Sequence, residues 1–73
     1  MTKNQKALKV FLILLNRYEI LCDKSKDGTI SLKTPFWGCG YGRSFYDAVT
    51  SLVYNLDDVD SNTREEIRKI ING

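Results

Sequence analysis

"TISLKTPFWGCGYGRSFYDAV", Thr29 to Val49, decides the fold, because its periodicity changes midway. Thr29 to Lys33 alternates polar and apolar residues with period two, the pattern of a half-buried strand. Pro35 stops that strand from continuing as a central one, and Phe36 to Tyr41 reads as a short third strand or an extended loop. Ser44 is a suitable N-cap, with Asp47 three residues on to complement the positive helix end, so a helix opens where the glycines stop. Its apolar stripe is Phe45, Ala48, Val49, Leu52, Val53 and Leu56, with Tyr54 on the other side.

Upstream, Tyr18 to Cys22 is rich in strand formers, and Asp27-Gly28 offers the positive φ angles of a tight hairpin turn. Thr2 and Gln5 fit a capping box that starts a first helix. On that helix Leu8, Phe11, Leu12 and Leu15 form a stripe, which Ala7, Val10 and Leu14 widen to half the circumference or more. Such an arc packs on two elements or serves a homodimer; Ile13 stands on the polar side with Lys6, Lys9 and Arg17. Downstream, Asp57 to Asp60 breaks the helical pattern. Ser61, Asn62 and Thr63 are cap candidates, Thr63 and Glu66 a capping box, and Ile67, Ile70 and Ile71 the buried stripe of a last helix. The sequence thus predicts one small α+β domain over residues 1–73, in the order α-β-β-(β)-α-α, with an antiparallel hairpin sheet packed against helices.

Composition narrows the chemistry. A chain of 73 residues has room for a single small core, and 42% hydrophobic with 27% charged residues argues against disorder. The longest apolar run, Val10 to Leu15, falls far short of the ~18 residues of a membrane span, and no cleavage-site pattern follows it, so a cytoplasmic protein without membrane contact is expected. There is no histidine and there are two cysteines. Zinc takes about four nitrogen or sulfur ligands, so Cys22 and Cys39 alone cannot build a structural site. Cys-His and Ser-His nucleophiles are excluded with the histidine. Asp57, Asp58 and Asp60 read as solvated caps at a helix junction, not as an acid/base pair. The expectation is a protein with no catalytic residue, metal or cofactor. Cys22 and Cys39 read as reduced, small buried hydrophobes, with a bridge between them the alternative in an oxidising compartment.

The glycine stretch is the candidate site. Gly38, Gly40 and Gly42 suit a sharp passage from strand to helix. Around them, Trp37, Tyr41 and Arg43, with Tyr46 and Tyr54 on the following helix, are candidates for partner binding, since Trp, Tyr and Arg are enriched in binding hot spots. Trp37 fits a core anchor equally well. A second set, Lys24, Lys26, Arg43 and Ser44, consists of candidate contacts to an anion or nucleic acid. Charge is uneven: residues 1–43 carry a net +5 and residues 44–73 a net −3, within a total of +2.

Two local resemblances follow. "GYGRSFYDA" resembles the end of a double-stranded RNA-binding domain, where a Gly-x-Gly-x-Ser-Lys-Lys-x-Ala stretch opens the last helix. Gly40, Gly42, Ser44 and Ala48 fall on that pattern, while Phe45 and Tyr46 stand in place of its phosphate-gripping lysines. "TPFWGCGYGRSFYDAV" is similar to the middle of a HicB-like antitoxin module, matching in order at Pro35, Gly38, Cys39, Gly42, Ser44, Asp47 and Ala48. That likeness implies a protein that inhibits by binding another protein. In size, helix order and lack of catalytic groups the chain is also similar to the small inhibitors that phages and mobile elements direct at host defence, anti-CRISPR proteins among them. The implied function is a non-enzymatic inhibitor that blocks a host protein, such as a defence nuclease or complex, through an aromatic and basic patch. The alternative is a small nucleic-acid or nucleotide-binding domain of double-stranded RNA-binding-like topology.

Overall fold

The computed structural model describes residues 1–35, 38–56 and 58–73. Its elements run α1 (Lys3–Leu15), β1 (Leu21–Lys24), β2 (Ile30–Lys33), β3 (Cys39–Gly42), α2 (Phe45–Asn55) and α3 (Ser61–Asn72), the expected α+β order with the third strand formed. The strands make one antiparallel sheet in the order β1-β2-β3.

The capping box opens α1 as its spacing predicts. Thr2 Oγ1 accepts from the Gln5 backbone N–H at 3.2 Å, and Gln5 Oε1 accepts from that of Thr2 at 2.9 Å, satisfying two free donors of the first turn. The helix buries only one side of the predicted arc. Ala7, Val10 and Leu14 enter the core, whereas Leu8, Leu12 and Leu15 are 52%, 54% and 42% exposed. At 100° per residue the two sets lie roughly 140° apart, so one helix carries two apolar arcs and periodicity alone cannot say which faces inward. Ile13 is half-buried against the core instead of standing on a polar face.

The end of α1 corrects a second expectation. The N–H groups of Arg17 and Tyr18 both donate to Leu14 O, at 3.0 and 2.8 Å, which curls the chain back and drives the Tyr18 ring into the core. The first strand therefore starts at Leu21, not Tyr18. Between β1 and β2 the turn is not a two-residue Asp27-Gly28 turn. Gly28 N–H donates to Ser25 O at 3.1 Å and Ser25 N–H to Thr29 O at 2.9 Å, enclosing Lys26, Asp27 and Gly28 in a three-residue loop whose one positive φ is at Gly28. The Asp27 carboxylate accepts from Thr29 N–H at 3.0 Å and from the Ser25 hydroxyl, and these bonds hold its pKa below the usual carboxylate range.

Strand register sorts the sheet into two faces. Cys22, Leu32 and Gly40 lie in one row and Lys24, Ile30 and Gly42 in another, on the face that α2 covers. Leu21, Asp23, Ser31, Lys33, Cys39 and Tyr41 point the opposite way, where no helix packs. Gly40 and Gly42 are there for space. A Cβ on Gly40 would sit 2.3 Å from Leu52 N, and one on Gly42 would sit 2.6 Å from Ala48 N, so side chains would hold the helix off the strand. The expectation that all three glycines serve backbone angles holds only for Gly38, at φ +144°. Cys22 and Cys39 fall on opposite faces with β2 between them. Two strand spacings, ~10 Å, exceed the ~7 Å reach of a disulfide, and both thiols are free; neither is the buried hydrophobe expected, Cys22 being exposed on the edge strand β1 and Cys39 half-buried on the face that no helix covers.

Ser44 caps α2, its Oγ accepting from Asp47 N–H at 3.1 Å. The predicted stripe is the observed one: Ala48, Val49 and Leu52, with Leu56 just past the helix, are buried, and Phe45 and Val53 are partly so. Phe11 of α1 meets Phe45 edge to face at 5.3 Å. The cap of α3 is Asp60, not Ser61, Asn62 or Thr63; its carboxylate accepts from Thr63 N–H at 3.4 Å and pairs with Arg17 at 2.9 Å. Thr63 is itself buried. At the far end of α3, Lys6 Nζ donates to Ile71 O at 3.1 Å, placing a cation at a helix C-terminus. The core is one cluster in which Val10 and Leu14 of α1, Leu32 of β2, Val49 and Leu52 of α2, Leu56, and Ile67 of α3 are almost wholly buried, each worth ~1.5–3 kcal/mol of transfer free energy.

Candidate binding surfaces

Among the described residues, the predicted partner-binding positions fall on β3 and its exit, Tyr41 and Arg43, and on α2, Tyr46 and Tyr54. Tyr41 projects from the uncovered sheet face, half exposed, and Arg43 is exposed at the exit from β3. Cys39 Sγ and Tyr41 Oη lie 3.5 Å apart, and the hydrogen bond between them, with the tyrosine O–H as donor, followed by charge repulsion between the two groups, holds the tyrosine pKa above its ordinary value. The backbone here is tied to α2: Asn55 Nδ2 donates to Cys39 O at 2.7 Å and Ser51 Oγ accepts from Tyr41 N–H at 3.4 Å. Tyr46 is half-buried near the start of α2, with Lys3 Nζ 5.5 Å from its ring centroid, a cation–π contact that uses both side chains within the fold. Tyr54 stands on α2 two turns further on, ~12 Å along the axis, and is 86% exposed. Trp37, with Phe36 and Asp57, lies outside the described residues.

Tyr54 stands beside a hollow in the surface. Residues of α2 and α3 line an open groove of about 260 Å³. Val53, Ile67 and Ile71 give it an apolar floor, while Tyr54, Arg64 and Arg68 form its rim. Arg64 is fixed by donating to Leu56 O at 3.0 Å, and Arg68 reaches Glu65 at 3.7 Å in a solvent-exposed pair. The sequence-based candidates include Tyr54 and omit both arginines. The signal was present: Arg64 and Arg68 are four residues apart, as are Ile67 and Ile71, so cationic and apolar residues ride side by side on one helix face.

The second predicted set is partly gathered. The pairing of Lys24 with Ile30 and of Ile30 with Gly42 puts the hairpin, with exposed Lys24 and Lys26, at the same end of the sheet as Arg43 and Ser44. Asp23, Asp27 and Asp47 are interspersed there, Asp47 in the first turn of α2, where its charge opposes an incoming anion. Among the described residues no group of three or more potential metal ligands occurs, and no helix is long and apolar enough to cross a membrane. No protein-family model, curated protein or solved structure matches the chain.

Proposed function

We propose that the chain is a non-enzymatic binding protein that acts by occupying the surface of another protein, in the manner of the small inhibitors that phages and mobile elements direct at host defence. The observation that carries this is Tyr54, a large aromatic side chain 86% exposed at the lip of an apolar groove that two arginines border. A tyrosine and arginines around an apolar floor have the composition of a hot spot. The fold does not use the Tyr54 ring, which makes an external contact the economical account of it. The charge of the rim selects the partner: an acidic segment whose apolar side chain enters between Val53 and Ile71 while its carboxylates meet Arg64 and Arg68.

The test is affinity capture from host lysate, with and without nuclease, using the wild type, Tyr54→Ala and Arg68→Ala. A protein partner that survives nuclease and is lost from both variants supports the reading. Binding to Tyr54→Ala should fall roughly thirtyfold, the ~2 kcal/mol of a truncated hot-spot aromatic, while its unfolding midpoint stays that of the wild type. Capture that vanishes with nuclease, or that both variants retain in full, overturns it.

The shared end of the sheet occupied by Lys24, Lys26 and Arg43 favours nucleic acid as the second reading. Affinity would then fall steeply with salt and respond to those three residues, not to Tyr54.

A further inference from the structure

The outward arc of α1 is an apolar feature that the fold leaves uncovered. Met1, Leu8, Leu12 and Leu15 are 64%, 52%, 54% and 42% exposed. On the helix itself Gln5, Leu8, Leu12 and Leu15 repeat at spacings of three, four and three, an a/d heptad seam with Gln5 and Leu12 at a and Leu8 and Leu15 at d, while Met1, ahead of the Thr2 cap, adds an apolar side chain beyond the first turn. The seam is not flat. Met1, Gln5, Leu8 and Lys9 surround a hollow of about 320 Å³ into which side chains of a facing helix can insert. We propose that this face is a self-association surface and that two copies of the chain pair through α1 in parallel, about a twofold axis along the seam.

The occupant and its direction follow from what borders the seam. In a parallel pair each layer meets its own kind: Leu8 on Leu8, Leu12 on Leu12, Leu15 on Leu15, and the one polar layer, Gln5, on Gln5. Gln5 Oε1 is engaged by Thr2, but its amide N–H groups remain available to the facing glutamine. The flanking g and e positions then pair Asn4 with Lys9 and Phe11 with Asn16, so no like charges meet. An antiparallel pair sets Leu15 against Gln5 and brings the two Lys9 ammonium groups together. Lys3 and Lys6 do not enter either arrangement, since they lie toward the body of the fold on Tyr46 and Ile71. Ala7, Val10 and Leu14 face the protomer's own core, roughly 140° from the seam, which leaves room for two bodies on opposite sides. A helix of 13 residues is ~20 Å long, and a seam of that length buries an area at or below the ~1,200 Å² lower end of specific interfaces. The dimer is therefore expected to be concentration-dependent.

Sedimentation of the purified protein from roughly 1 µM to several hundred µM, the range in which small interfaces associate, should show a monomer giving way to a dimer. Leu12→Lys, at an exposed position, should keep the wild-type circular dichroism and raise the dissociation constant roughly a hundredfold, since two leucines are lost per dimer. Direction is read from Leu12→Cys with Cys22 and Cys39 changed to Ser: mild oxidation should link two copies at residue 12, because only the parallel pair places that position against itself. A protein that stays monomeric throughout, as it would if the seam served an unrelated chain, overturns the proposal, as does a dimer that Leu12→Lys leaves unchanged. A dimer that Leu12→Lys breaks but Leu12→Cys does not link overturns its parallel direction.

Discussion

At Gly40 the absence of a side chain sets the distance between sheet and helix. The Cβ of any other residue would meet Leu52 N at 2.3 Å and Ala48 O at 2.5 Å, and both are backbone atoms that can yield only if α2 moves as a body. Gly40→Ala should therefore cost about 3 kcal/mol, at the upper end of overpacking effects, or prevent folding. Chemical denaturation of the purified variant measures this, and a midpoint within error of the wild type would refute the close-approach account. Asp60 is the other single residue on which several contacts converge, as the cap of α3 and the ion-pair partner of Arg17. The hydrogen bond to Thr63 first, and the Arg17 guanidinium after it, lower its pKa below the usual carboxylate value. A carboxyl whose folded pKa is depressed contributes stability above its unfolded pKa of ~3.9 and loses it as pH falls through the lowered folded value. Asp60→Asn keeps a capping oxygen and removes the titration, so its stability should fall less than that of the wild type over the same acid window. Asp60→Ala should be less stable than Asp60→Asn at neutral pH. Thermal melts from pH 7 to pH 3 compare the three.

Among the elements, α1 shows where sequence reasoning stops. Its beginning was legible to the residue, because a capping box is chemistry between neighbours in the chain. Its inward face was not, because Leu8, Leu12 and Leu15 repeat as regularly as Ala7, Val10 and Leu14 do, and only the positions of α2 and α3 choose between them. Leu14→Ala should cost ~2–5 kcal/mol and Leu12→Ala less than about 1 kcal/mol in dilute solution, a contrast that a wheel centred on Leu12 would invert. The stripe of α2 was legible because it has only one apolar side. The hairpin was legible as a hairpin, but its strand ends were not, since the curl at Leu14 that takes Tyr18 inward depends on the core that receives it. Among the candidate binding residues, Tyr54 could be found from the sequence, but the groove beside it could not, because its lining comes from both α2 and α3 and depends on how the two helices are placed. Strand register also decides the cysteines: with Cys22 and Cys39 on opposite faces, a Cys22→Ser, Cys39→Ser protein should unfold within ~1 kcal/mol of the wild type. Reductant should leave the wild-type midpoint in place, and a sharp drop on reduction would contradict this register.

For the molecule as a whole, the arrangement of charge separates the protein-binding reading from the nucleic-acid one. The basic residues are distributed over several surfaces and many are already engaged. Lys3 lies over the Tyr46 ring, Lys6 bonds the end of α3, and Arg17 pairs with Asp60. Lys24, Lys26 and Arg43 do share one end of the sheet, but with Asp23, Asp27 and Asp47 interspersed. At the helix start where double-stranded RNA-binding domains carry lysines, Phe45 meets Phe11 edge to face and Tyr46 faces Lys3, so both positions serve the packing of α1 on α2. Phosphate contacts supply most of the affinity of such domains, each neutralised phosphate adding to the dependence on salt. Duplex RNA should accordingly bind no tighter than the ~10⁻⁴–10⁻⁶ M of non-specific association at physiological salt, and Phe45→Lys with Tyr46→Lys should not create a tight site, because those changes remove core packing. A gel-shift series at rising salt is the measurement. Sub-micromolar binding that weakens steeply with salt and is lost on changing Lys24, Lys26 and Arg43 to Ala would reverse the order of the two readings, whereas weak binding indifferent to those residues leaves Tyr54 and its groove as the surface to pursue.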